Sequence, residues 1–418
     1  MDTVRMWLYI VRRLILLVPI IIGVMTITFV LVSALPVTDR LTASFGDPSP
    51  KAPWIYEPTL APGTGPCPGP PNNKSCPNPV YNRDIAILGL NQPIFVQWGI
   101  YIYHSFTFNW GTVSNHSSAG LLLKPIQGLP VIQVLGWYLP YTIELAILSL
   151  LIILAVSIPL GNLAAVNRNR PVDQAARIMS FSGFALPGFL LASLVLAGAL
   201  IGIGSSVGYV VHTPWCPSGE LLYQELTGSW PSTSCFGGIG GAVGYPSWLV
   251  NGIYTTPTGF PTIDALIHGY YWLAFDTIVR MLLPALVIAF GTIAILLRFV
   301  RNSMLEVMNL DFVRTARSEG IPEKTVVSRH AGRNSLNVTI TVMGLLFAFF
   351  IGGFPIIEDV FHLNGVGLIL AYSVQNTAGP IDYALVFGTT LLFTFIVVFA
   401  NIIVDVLYAY LDPRVRLG

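Results

Sequence analysis

Residues 139–166 read LPYTIELAILSLLIILAVSIPLGNLAAV and carry a single charged side chain, Glu144. An α-helix needs about 20 predominantly apolar residues to cross a hydrocarbon core of about 30 Å, so this run is long enough to span a bilayer. Working outward from it, five further windows pass the same test: Leu14–Leu35, Ile178–Ile203, Met281–Leu297, Leu336–Ile357 and Tyr383–Val404. Met281–Leu297 is the shortest of them. Composition agrees, since 54% of the 418 residues are hydrophobic and 10% charged, against about 25% charged in a soluble domain. The expected architecture is an all-α integral membrane protein with six transmembrane helices. Arg5, Arg12 and Arg13 precede the first window as in a signal peptide. Its apolar run exceeds the roughly 7–15 residues of a cleavable leader, so it is expected to remain as the first helix.

Lys and Arg fix the expected orientation, because cytoplasmic loops near helix ends are enriched in them. With six spans and the amino terminus inside, fifteen of the twenty-one basic residues fall inside: Arg5, Arg12, Arg13, Arg168, Arg170, Arg177, Arg298, Arg301, Arg314, Arg317, Lys324, Arg329, Arg333, Arg414 and Arg416. Arg40, Lys51, Lys74, Arg83, Lys124 and, at a membrane boundary, Arg280 stay outside. The stretch Leu88–Trp110 also lacks charge, yet Asn91, Pro93, Gln97, His104 and Asn109 interrupt it. Counting it as a span would invert every later loop, so it is expected to be an extracellular or interfacial helix. The organisation that follows is a first helix within 1–35, an outside segment over 36–138, two spans in 139–203 and a second outside segment over 204–279. Three spans then lie in 280–418, with a cytoplasmic loop at 303–335. Both termini are expected in the cytoplasm of a multi-pass plasma-membrane protein.

The first outside segment holds a Pro- and Gly-rich tract from Pro48 to Pro79 that is expected to be a loop or polyproline-like excursion. All four cysteines lie in the two outside segments, Cys67 near Cys76 and Cys216 near Cys235. Local disulfides in an oxidising exterior are the expectation, with pairing between the segments or free thiols as the alternatives. Asn73-Lys-Ser and Asn115-His-Ser fit the glycosylation acceptor pattern and fall outside, whereas Asn337-Val-Thr fits it on the cytoplasmic side. No cysteine–histidine spacing points to a metal.

Between the fourth and fifth windows stands SMLEVMNLDFVRTARSEGIPEKTVVSRHAGRNSL, residues 303–336, far more polar than its flanks. Asp311 is expected to begin a helix that Gly320 ends, because glycine is the usual residue just past a helix terminus. Ile321-Pro322 then starts a second helical piece, with Glu323 favourable in its first turn. Helix, glycine turn and helix make a short rigid protrusion, whose plainer reading is a solvated amphipathic loop.

R-T-A-R-S-E-G followed by R-H-A-G-R-N-S-L resembles the cytoplasmic coupling signature of dipeptide/oligopeptide-type ABC transporter permeases, that class's version of the EAA loop. The resemblance carries over to Arg314, Thr315, Ala316, Arg317, Ser318, Glu319, Gly320, His330, Arg333 and Asn334. Gly332 departs, since the family more often has a larger residue there. The likeness extends to Arg12-Arg13, to Leu90-Asn-Gln-Pro93-Ile-Phe-Val-Gln97 and to Thr142-Ile-Glu144-Leu-Ala with Ile158-Pro159-Leu-Gly161. It continues through Glu358 with Phe361, Gly365 and Gly367, through Asp382-Tyr383 and through the closing Asp412-Pro413-Arg414. Asn364 and Ala384 stand where proline is usual, no arginine precedes Asp382, and the tracts around Cys67 and Cys235 look like insertions. The resemblance implies the type I ABC importer permease fold, with large extracellular insertions. It implies half of a translocation pathway for peptides, or for oligosaccharides in an archaeal member. It also implies a second homologous permease subunit, two ATP-binding subunits with ATP and Mg, and an extracellular solute-binding protein as partners, with no cofactor in this chain.

Glu144, the one acid inside a span, is a candidate for the pathway because an ionisable group at membrane depth is costly enough to be functional by default, and Glu358, beside Asp359 at an outer helix end, is a candidate for an external gate. A structural hydrogen bond is an equal alternative for Glu144, and a solvated loop start for Glu358. The chain has no G-x-x-x-x-G-K-[ST] phosphate loop, so ATP binding of the usual kind is expected elsewhere. No H-E-x-x-H or G-x-S-x-G motif and no clustered metal ligands appear, which leaves a membrane enzyme without a nucleophile–base set. A net charge of +1 gives no reason to invoke nucleic acid. The rival reading is a secondary transporter or channel, which would place acids or broken helices at mid-membrane.

Overall fold

The computed structural model describes residues 3–37, 40, 79–114, 126–202, 258–267, 269, 271–335, 343, 354–361, 363–375 and 381–411. Cys67, Cys76, Cys216, Cys235, Asn73, Asn115 and most of the Leu336–Ile357 window lie outside the described residues. Among the described residues the regular structure is helical, with one isolated bridge between Thr112 and Pro130. The helices are α1 (Thr3–Ser33), α2 (Pro79–Leu88), α3 (Ile94–Phe106), α4 (Val131–Val166), α5 (Pro171–Ala185), α6 (Gly188–Gly202), α7 (Pro261–Ile267) and α8 (Tyr271–Val307). They continue with α9 (Asp311–Ser318), α10 (Glu323–Thr325, running on as a π-helical turn over Val326–Ala331), α11 (Phe354–Val360), α12 (Val366–Val374) and α13 (Tyr383–Leu411).

Among the described residues, four helices are long and apolar enough to cross a membrane: Ile15–Ser33, Val131–Val166, Thr277–Val307 and Tyr383–Ile402. The third window is not one straight helix. It divides into Pro171–Gly183 and Gly188–Gly198, bent by 103°. Local chemistry explains the break, because a proline pushes the residue before it out of the α region. Leu186, just before Pro187, is extended with φ −98° and ψ 115°. Two boundaries also move. The second span starts at Val131 rather than Leu139, and α8 begins at Tyr271, so the last nine residues of the expected 204–279 loop are helical and Arg280 lies inside a helix. In α8, Asp276, Arg280 and Arg298 confine the uncharged window to the middle of the helix. At about 1.5 Å per residue, helices of 36 and 37 residues run to about 55 Å, so their ends project beyond a 30 Å core. The Leu88–Trp110 stretch forms the 13-residue α3, which is too short to span, as expected.

The chain divides into two compact units, one of Met1–Leu17, Trp137–Leu368 and Phe395–Gly418, the other of Val18–Gly136 and Ile369–Thr394. In the first, α8 is the axis, packing on α5, α6, α7 and α11. Small residues make the approach close. A Cβ on Gly161 of α4 would press into the Val300 side chain, and one on Gly183 of α5 would fall on Ala294. In the second unit, α1 and α3 are joined by Trp98 donating to Thr26 Oγ1 (3.0 Å) and Tyr101 donating to Thr28 Oγ1 (3.1 Å), with Phe29 tilted against the Tyr101 ring.

Candidate functional site

The polar loop after α8 folds into the expected helix, turn and helix. Leu310 is extended at the N-cap and Asp311 occupies the first turn of α9, where a carboxylate faces the positive end of the helix dipole. Val313 and Ala316, three residues apart, point inward. They join Ala165, Met304, Val307, Val326 and Ala331 in a small core, with Ile321 packed against it. Each fully buried valine contributes about 1.5–3 kcal/mol of burial energy, and Val313 and Val326 are both fully buried. A charge at Val313 would break the loop's foundation.

Gly320 has φ +77°, and nothing stands within 4 Å of where its Cβ would be. Gly320 N–H donates to Arg317 O and Ile321 N–H to Ala316 O, the paired bonds of a Schellman motif, with glycine in the left-handed position after the helix. Glycine is therefore needed for its backbone angle and not for lack of room. Arg317 reaches across the turn to Glu323, with Nη2 to Oε1 at 2.7 Å and Nε to Oε2 at 3.1 Å. That bidentate pair holds the Glu323 carboxyl below the usual carboxylate range and raises the Arg317 guanidinium above its ordinary value. Both side chains stay substantially exposed, so the pair braces the turn at a stability gain of less than about 1 kcal/mol.

Of the sequence-predicted residues, Arg314, Thr315, Arg317, Ser318, Glu319, Gly320, Arg333 and Asn334 are exposed, His330 is half-buried, and Ala316 is buried. Asn334 donates to the His330 carbonyl (3.3 Å) and Ser318 to the Thr315 carbonyl (2.7 Å). Phe312 and Leu310 add exposed apolar surface beside α9. Gly332 closes the π-helical turn, and a Cβ there would lie 2.9 Å from the Val327 carbonyl, which accounts for glycine at a position where a larger residue was expected.

The two acids singled out for a pathway both bind the starts of helices. Glu144 accepts from Thr262 N–H and Thr262 Oγ1, each at 3.0 Å, at the first turn of α7. Glu358 is fully buried and accepts from Thr142 Oγ1 (2.8 Å) and Gly367 N–H (2.6 Å), while Thr142 Oγ1 takes the Val366 N–H (2.9 Å). The carboxylate thus caps α12 and ties it to α4. A Cβ on Gly365 would fall on that carboxylate, and one on Gly367 would meet the Pro355 backbone.

Two further acids lie outside the set of candidate site residues. Asp382 accepts from Leu385 N–H (3.1 Å) and Ser114 N–H (2.9 Å), capping α13. Asp173, fully buried in the first turn of α5, accepts from Arg301, Arg177 and the Asn169 N–H. An acid in a first helical turn beside Arg168, Arg170 and Arg177 was the available signal. In the second unit, a cavity of about 350 Å³ lies among residues including Phe29, Tyr101, His104, Trp110 and Phe387. Among the described residues no group of three or more His, Cys, Asp or Glu is placed to hold a metal.

The family model for the binding-protein-dependent transport system inner membrane component matches residues 157–417. This covers the bent pair, α8, the loop, α11 with Glu358, and the last span. The chain belongs to that family. It is therefore an integral membrane permease subunit of an ABC importer, with the helical type I permease fold. Among its relatives is the probable D,D-dipeptide transport system permease protein DdpB of Escherichia coli (strain K12), 33% identical over 331 residues, covering 79% of this chain and 83% of that protein. The oligopeptide transport system permease protein AppB of Bacillus subtilis (strain 168) is 27% identical over 408 residues, covering 98% and 99%. The dipeptide transport system permease protein DppB of E. coli (strain K12) is 28% identical over 409 residues, covering 98% of each chain. The permease therefore matches AppB and DppB over nearly the whole length of each.

Proposed function

We propose that this permease forms half of a pathway for short peptides, and that the loop over 303–335 is where an ATP-binding subunit docks. The observation that carries the reading is the build of α9–α10. A buried apolar core fixes the loop to the end of α8, a Schellman turn and an ion pair brace it, and the residues of the coupling signature face solvent apart from Ala316 and the half-buried His330. A loop selected only for solubility has no need of such a foundation. The exposed set mixes Arg314, Arg317, Lys324, Arg329 and Arg333 with Asp311, Glu319 and Glu323 beside Phe312, the combination of charge and aromatic anchor that suits a protein partner.

In this reading the loop and both termini face the cytoplasm. ATP and Mg bind in two partner subunits, this chain performs no hydrolysis, and a second permease completes the pathway. An extracellular binding protein delivers the peptide, the substrate class named for all three relatives above. The test is site-directed cross-linking from Ser318→Cys in intact and permeabilised cells. A cross-link to an ATP-binding subunit, formed only from the inside, is expected. Labelling of that cysteine by an impermeant reagent applied to intact cells would overturn both the topology and the docking assignment.

A further inference from the structure

We infer that Asp173 is a positioning residue for energy transmission, clasping α5 to the end of α8 so that a displacement of the loop is carried to the α5–α6 bend. The inference rests on the reading that an ATP-binding subunit moves the loop. Asp173 is fully buried and gathers four donors on one carboxylate. Arg301 donates to it through Nε and through Nη2 (3.0 Å), Arg177 through Nη2 (2.7 Å), and the Asn169 backbone N–H adds a bond of 2.9 Å. A fork-to-fork Arg–carboxylate pair fixes direction as well as distance. The Arg301 side chain is only 13% exposed, so solvent screens the pair weakly.

The position of the clasp gives it its role. Arg301 lies one turn before the place where the loop is anchored. Ser303 Oγ donates to the Ser335 carbonyl (3.1 Å), and Met304 and Val307 enter the loop core. Both ends of the loop therefore converge on the segment of α8 that the clasp holds. Along the same helix, Gly161 meets Val300 and Gly183 meets Ala294 at a closeness that excludes a Cβ, so α4, α5 and α8 have no slack through which movement could dissipate. At its other end α5 stops at Leu186, where the chain turns by 103° into α6. The arrangement makes α5 a short lever, held at Asp173 and pivoting at Leu186-Pro187.

The experiment uses the complete complex with its binding protein in lipid nanodiscs, with ATP and vanadate as the trapping probe. An environment-sensitive fluorescent amino acid replaces Ser318 in one sample and Phe189, on α6 beyond the bend, in another. Without further substitution, both reporters are expected to respond to trapping. In Asp173→Asn the Ser318 reporter should keep its response while the Phe189 response falls about tenfold. Arg301→Lys, which retains the charge and loses the fork, should give an intermediate Phe189 response, and it carries the test if Asp173→Asn fails to assemble. A purely structural role would lower the unfolding temperature and weaken both reporters together, and that result overturns the inference. So does an unaltered Phe189 response in both variants. If the Ser318 reporter is silent in the unsubstituted complex, the docking reading fails, and the clasp fails with it.

Discussion

The polar loop around Gly320 and the elbow over Phe354–Leu368 use the same two residue types for different purposes. In the loop Gly320 ends α9 and Glu323 opens α10, whereas in the elbow Gly365 and the Glu358 carboxylate both stand at the start of α12. In the loop, Gly320 is demanded by a backbone angle of φ +77° in open space, and Glu323 is exposed and paired with a guanidinium. In the elbow, Gly365 is demanded by proximity, because the buried Glu358 carboxylate occupies the space a side chain would take, and its partners are the neutral Thr142 hydroxyl and backbone N–H groups. Exposed pairs are worth little, whereas a buried carboxylate stripped of partners is costly. The loop is therefore built to keep its shape while tolerating change at its surface. The elbow is built to allow none.

The sharpest break of this contrast is Gly365→Val. Overpacking combined with displacement of the Glu358 carboxylate should cost about 3 kcal/mol or more, so detergent-extracted protein should show a large drop in unfolding temperature or fail to accumulate. Normal yield and stability would mean that the elbow has room. Gly320→Val should cost only about 1–2 kcal/mol of left-handed strain, leave membrane insertion intact and abolish binding-protein-stimulated ATP hydrolysis by the assembled complex. Wild-type stimulation in that variant would remove the loop from the coupling path.

Within the elbow, Glu358→Ala strands the Thr142 hydroxyl and a buried N–H. Glu358→Gln keeps the shape and one acceptor oxygen. The first should be more destabilising than the second by about 1–3 kcal/mol, measurable as a difference in thermal midpoint, and equal effects would show that the carboxylate is not the cap.

The smallest effect belongs to the exposed pair. The folded Glu323 pKa is depressed by Arg317, so the stabilisation is present above the unfolded glutamate value of about 4.3 and is lost as pH falls through the folded value. A double-mutant cycle over Arg317→Ala and Glu323→Ala should give about 0.2–1 kcal/mol at pH 7 and a smaller coupling in acid. A coupling that grows on acidification would contradict the assigned partner.

Local features were legible in the residues. The membrane class followed from uninterrupted apolar runs, and α9 with its glycine turn from Asp311, Gly320 and Pro322, because caps and turns depend on chemistry a few residues apart. The bend at Leu186-Pro187 was equally local, yet the apolar run concealed it, since hydropathy is blind to a proline placed between small and aliphatic residues.

The partners of the acids were another matter. Thr142 lies 216 residues from Glu358, and Arg301 lies 128 from Asp173. Nothing near Glu144 or Glu358 in the sequence indicates that each accepts hydrogen bonds at the start of a helix. Residue order was enough to establish that this chain crosses a membrane and that a glycine turn follows α9, because hydrophobicity and backbone geometry act within a few turns of helix. Only long-range packing reveals which carboxylates cap helices, which one two arginines share and which glycines leave no room for a side chain, because those roles depend on what comes within 3 Å of a group that must not be buried unpaired.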